Sequence, residues 1–97
     1  MDTLTAAKAL GVPLASFANK ILRMEPDQGL DRLIPVGMAR AWLVLPLFLD
    51  GDTLAVAAVD PSDAILLADL AKFTKHPVEP FIAAEDELLL AISRAYR

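Results

Sequence analysis

Two apolar runs, Leu43 to Leu49 and Thr53 to Val59, are parted by Asp50-Gly51-Asp52. Runs of this length around an aspartate-glycine pair predict a β-hairpin, because that pair supplies the positive φ angles a tight turn needs. Ala55 to Val59 shows no polar alternation, so the second strand is expected to be covered on both faces. Pro46 cannot donate to a ladder, which places the first strand at an edge.

The pattern then changes period. Leu66, Leu70 and Phe73 recur at helical spacing, and Lys72 and Lys75 fall in the last turn, where cations meet the negative end of the helix dipole. Asp60 is expected to cap this helix, with Pro61 in its first turn and Asp63 near the positive end of the dipole. It should end between Thr74 and His76, since Pro77 disfavours a helical predecessor. Val78 to Ala83 follows as a short strand interrupted by Pro80. A final helix opens on Glu85, Asp86 and Glu87 and closes on Arg94 and Arg97, with Leu88, Ile92, Ala95 and Tyr96 as its apolar stripe. Leu89 and Leu90 widen that stripe beyond what a thin layer needs.

Upstream, Asp2 or Thr3 can cap a helix through Leu10 that stops at Gly11. Val12 to Phe17 suggests an extended piece, and Ala18 to Gly29 carries no clear period. Leu33-Ile34-Pro35 is expected to open a short helix through Trp42, proline being tolerated in a first turn. The chain thus reads as an α+β fold: a sheet of about three strands, made of a hairpin and a βαβ-like crossover, packed with helices. Residues 1–30 form a helical N-terminal arm, and residues 31–97 the main folding unit.

Composition narrows the function classes. At 97 residues the chain holds one modest core, and its 56% hydrophobic residues are expected mostly to fill that core, with some apolar surface as the alternative for a partner. The net charge is −4 and the nine Lys and Arg are dispersed, so no basic face suited to nucleic acid can be drawn. No cysteine is present, which removes disulfides, thiolate nucleophiles and thiolate zinc sites together. No apolar stretch approaches the roughly 20 residues of a membrane span, and the start lacks the pattern of a secretory signal. The chain reads as soluble and intracellular.

Candidate chemistry is sparse. His76, the only histidine, lies at a helix end where its ring can meet the last carbonyls, without a partner for catalysis. Asp60 with Asp63 is explained by capping, and Asp50 with Asp52 by turn chemistry. Arg32 and Arg40 lack the neighbouring glycines of a phosphate site and read as solvated or paired with Asp27 and Asp31. No catalytic, cofactor or metal residues are assigned. Trp42, Phe81, Ile82, Leu89 and Leu90 remain as candidates for a protein-interaction surface, with Trp42 also suited to anchor the core.

The order Leu33-Ile34-Pro35, Ala39-Arg40, Leu45-Pro46-Leu47, Asp50-Gly51, Leu54-Ala55-Val56-Ala57 and Asp60-Pro61 resembles the N-terminal domain of type II secretion and type IV pilus assembly ATPases. Asp69 to Thr74, Val78-Glu79-Pro80 and Ala91-Ile92 with Tyr96 extend the likeness, which runs from about Asp31 to Arg97. A weaker match lies in Ala9 to Pro13. His76 departs from the pattern, standing where the family usually has a glycine.

The resemblance implies a docking or regulatory domain that couples a hexameric motor to its inner-membrane platform. It would bind the cytoplasmic domain of a platform protein, be cytoplasmic and peripheral to that membrane, and oligomerise through the parent ATPase. The glycine- and leucine-patterned motif of cyclic-di-GMP-binding members does not precede Leu33, and no phosphate-binding loop of an ATPase is present. The competing readings are a nucleotide-sensing domain, a stand-alone adaptor and, least supported by the residues, a small hydrolase.

Overall fold

The computed structural model describes residues 3–96. Strand β1 (Val44–Asp50) pairs antiparallel with β2 (Thr53–Ala58), Asp50 lying opposite Thr53 and Val44 opposite Ala58. Of the turn pair only Gly51 takes a positive φ, 60°, while Asp50 closes the strand. The register slips between Pro46 and Phe48, so Leu47 forms a bulge. Strand β3 (Val78–Ile82) lies parallel to β2 on its other side, giving a mixed sheet in the order β1-β2-β3. Pro46 and Pro80 therefore sit on the two edge strands, where a missing amide breaks no inner ladder. Central β2 is buried on both faces from Leu54 to Ala58.

Residues 3–30, part of the segment expected as an arm, wrap both edges of this sheet. On the β3 side the Ile82 amide donates to the Pro13 carbonyl and the Ala15 amide to the Ile82 carbonyl, each at 2.9 Å. On the β1 side the Glu25 amide donates to the Leu47 carbonyl at 2.8 Å. Gln28 then acts as a substitute strand: its Oε1 accepts from the Leu49 amide at 2.9 Å and its Nε2 donates to the Leu49 carbonyl at 3.4 Å. Open strand edges invite pairing with another chain, and these contacts blunt both. Ala15 and Leu22 join the same core as Leu45, Leu54, Leu70 and Ile92.

Helix α1 (Thr3–Leu10) ends as expected at Gly11, whose φ is 69°. The Val12 amide reaches the Ala7 carbonyl and the Gly11 amide the Lys8 carbonyl, which satisfies two orphan acceptors in a Schellman arrangement. A cap from Asp2, and the closing role given to Arg97, lie outside the described residues.

The helix expected to open at Leu33 is two pieces, α2 (Leu30–Leu33) and α3 (Val36–Trp42). Pro35 forces its predecessor out of the helical region, so Ile34 is extended at φ −128° and Pro35 becomes the N-cap of α3. Helix α4 (Ala64–Thr74) likewise starts later than expected. Its cap is Asp63, whose carboxylate accepts from the Leu66 amide at 3.1 Å. Asp60 instead closes a turn by accepting from the amide and hydroxyl of Ser62, bonds that hold its carboxyl below the usual range, the hydroxyl contributing most.

The apolar stripe of α4 is also corrected. Leu66, Leu70 and Thr74 face inward, the Thr74 hydroxyl donating to the Leu70 carbonyl at 2.8 Å, while Phe73 is half exposed. The left-handed exit falls on Lys75, φ 61°, one residue before His76. The His76 ring does not meet the helix carbonyls. Its Nδ1–H donates to the Asp52 carbonyl at 2.9 Å, tying the end of α4 to the hairpin turn.

Candidate interaction surface

Helix α5 (Glu85–Ala95) carries the two leucines that the core does not use. Its first turn is acidic at Glu85, Asp86 and Glu87 and its last holds Arg94, a charge order that favours the helix dipole at both ends. Leu88, Ala91 and Ile92 are buried, whereas Leu89 is 49% and Leu90 46% exposed. At 100° per residue, Leu90 falls opposite the face of Leu88 and Ile92 and Leu89 on its flank, so packing leaves both half exposed.

Three side chains lock α5 in place. The Tyr96 hydroxyl donates to the Ile34 carbonyl at 2.6 Å, and burial, with a smaller contribution from the Asp31 carboxylate, raises its pKa to about 12. On the neighbouring face Glu87 Oε1 accepts from the Phe17 amide at 2.9 Å, and the Arg94 guanidinium stands 5.1 Å from the centre of the Phe17 ring. The Glu87 and Arg94 contacts fasten the 17–24 turn of the N-terminal segment to the helix that displays Leu89 and Leu90.

The five residues expected at an interaction surface therefore separate. Leu89 and Leu90 face outward together. Trp42 ends α3, partly buried against the core, in the anchoring position. Phe81 and Ile82 are corrected: they are 8% and 5% exposed, because residues 13–15 pair along the outer edge of β3 and Phe48 packs edge-on against Phe81 with ring centres 6.0 Å apart. They offer no surface to a partner. Sequence reasoning in turn missed Ile65 and Phe73, exposed apolar side chains on α4. Ile65 lies outside the Leu66-Leu70 stripe, a signal that was available; Phe73 sits at the stripe's margin, where spacing alone does not decide.

Arg32 and Arg40 are exposed and form no ion pair among the described residues, where Arg23 pairs with Glu25 at 3.9 Å. Among the described residues no three histidine or carboxylate side chains gather where they could hold a metal ion. No helix of the described residues is long and apolar enough to cross a membrane.

Comparison with known proteins agrees with the resemblance read from the sequence. The family model described as the MshEN domain matches residues 10–97. The type IV pilus assembly ATPase PilB of Myxococcus xanthus is 34% identical over 90 residues, which is 93% of this chain and 15% of that protein. Among solved structures, that of MshE with cdg superposes with a TM-score of 0.80 at 26% identity, covering 97% of this chain and 66% of the other. The N-terminal domain of XpsE superposes with a TM-score of 0.81 at 18% identity, covering 97% and 64%, and supports the fold. This chain belongs to the MshEN domain family, homologous to the N-terminal domains of type II secretion and type IV pilus assembly ATPases.

Proposed function

We propose that this domain docks a secretion or pilus assembly ATPase onto its inner-membrane platform by binding the cytoplasmic domain of a platform protein. The observation that carries this reading is the pair Leu89 and Leu90, exposed side by side on a helix whose other face is locked by Leu88, Ile92 and the Tyr96 hydroxyl. A rigid helix presenting apolar side chains loses little conformational entropy when a partner covers it. Polar groups around the pair would set orientation, as at the rim of other interfaces. In this role no bond is made or broken; the domain transmits the motor's position to the membrane complex, and the chain sits in the cytoplasm, held to the membrane through its partner.

Co-purification with the platform protein's cytoplasmic domain tests the reading. Leu89→Asp and Leu90→Asp should each weaken capture by about tenfold or more, since a charge would be forced into an apolar contact. Capture of both variants at the wild-type level would remove these residues from the interface.

The second reading, a nucleotide-sensing domain, draws on the relative solved with cdg. It predicts saturable heat when cyclic-di-GMP is titrated into this chain. Absence of heat up to saturating ligand would remove this reading.

A further inference from the structure

A groove of about 480 Å³ runs between the 17–24 turn and the last two turns of α5. Its floor is apolar, from Leu22, Met24, Ala91 and Ala95, and its rim carries three cations, Lys20, Arg23 and Arg94. That is one third of the nine Lys and Arg in a chain of net charge −4, gathered at a single site. Among the described residues Lys20 and Arg94 form no ion pair, and Arg23 has only Glu25, at 3.9 Å on the exposed rim. Glu87, the other nearby carboxylate, is engaged by the Phe17 amide.

The turn that holds Lys20 is built rather than loose. Asn19 Oδ1 accepts from the amides of Ser16 and Ile21, and its Nδ2 donates to the Leu14 carbonyl at 2.8 Å. Within this turn Lys20 takes φ 63°, a conformation that costs an L side chain energy and glycine nothing. Glycine would take that conformation without strain, as it would at Asp27, Leu43 and Lys75, so the substitution Lys20→Gly removes the rim charge without disturbing the turn. Leu90 lies one helical turn before Arg94 on the same side of α5, so that exposed leucine borders the groove, while Leu89 lies on the other side of the helix.

We infer that this groove is where the docking partner enters, and that it takes an acidic segment bearing an apolar residue from the platform protein's cytoplasmic domain. The inference rests on the docking reading and adds the location and the charge of what binds. Carboxylates of the segment meet Lys20, Arg23 and Arg94, and its apolar side chain covers Leu22 and Ala91.

The test titrates the whole 97-residue chain with that cytoplasmic domain by calorimetry, at low and at high salt. Lys20→Gly removes the charge and relieves the backbone, so it should melt no lower than wild type and yet bind about tenfold more weakly, with a shallower salt dependence. Arg94→Gln should behave alike in binding. Wild-type affinity in both variants would overturn the groove while leaving docking intact. No binding by wild type at either salt would overturn docking and the groove together. Saturable binding of cyclic-di-GMP or of phosphatidylglycerol vesicles that depends on Lys20 and Arg94, in place of the platform domain, would assign the groove to a different occupant and also overturn the inference.

Discussion

Removing the Tyr96 hydroxyl should expose how the C-terminal helix is fastened. Tyr96 is the chain's only tyrosine, so its ionisation is read directly from the phenolate absorbance. Unfolded, a tyrosine titrates at about 10; in the fold burial, and to a lesser degree Asp31, move it to about 12. A folded pKa above the unfolded one means the hydroxyl's contribution is whole below about pH 10 and is lost as pH climbs to about 12. Two pH units correspond to roughly 2.7 kcal/mol, and because the ring is only partly buried, solvent screening leaves about 1 to 1.5 kcal/mol. At neutral pH Tyr96→Phe forfeits the bond to the Ile34 carbonyl, a loss of about 1 kcal/mol. Urea unfolding followed by Trp42 fluorescence should therefore separate the two proteins at pH 7 and bring them together at about pH 11.5. A wild-type phenol that titrates at its ordinary value, with equal stability of the two proteins across that range, would refute the reasoning.

Three further substitutions probe other joints. Leu70→Ala empties a fully buried position under α4 and should cost about 2 to 5 kcal/mol, a large share of the roughly 5 to 15 kcal/mol a domain of this size has, read as a lower melting temperature by circular dichroism. Asp63→Ala removes the cap of α4 and should lower stability by about 1 kcal/mol in urea, whereas the cap expected at Asp60 would have made Asp60→Ala the costlier change. Gln28→Ala uncovers the outer edge of β1 at Leu49 and should increase concentration-dependent association, read by light scattering, with little change in the circular dichroism of the monomer.

The local chemistry of the hairpin made it legible from sequence. Asp50-Gly51 marked the turn, the unbroken apolar run marked a strand covered twice, and Pro46 marked an edge; all three hold in the structure, except that the covered strand ends at Ala58 and Val59 beyond it is exposed. Boundaries set by competing local signals were less legible. Asp60 and Asp63 are both good caps, and only the Asp60-Ser62 bonds show which carboxylate was already occupied. Contacts between distant residues were not legible at all. Glu87 holds the Phe17 amide across 70 residues and Gln28 fills a strand edge 21 residues away, so no period in the sequence reports them. The same limit misplaced Phe81 and Ile82: an edge strand's side chains read as available until residues 13–15 are seen beside it.

The candidate surface followed the same division. That α5 carried more leucines than one stripe needs was visible, and it puts Leu89 and Leu90 outside. That Lys20, Arg23 and Arg94 share a rim was not, because the first two lie on a turn placed by Asn19 and Glu87.

The most direct test of the docking account is a chemical-shift map of the isotope-labelled chain during titration with the platform protein's cytoplasmic domain. The account predicts saturable shifts centred on Leu89, Leu90 and the 17–24 turn, with the hairpin turn at Gly51 unmoved. Shifts absent altogether, or confined to the exposed Ile65 and Phe73 face of α4, would contradict it.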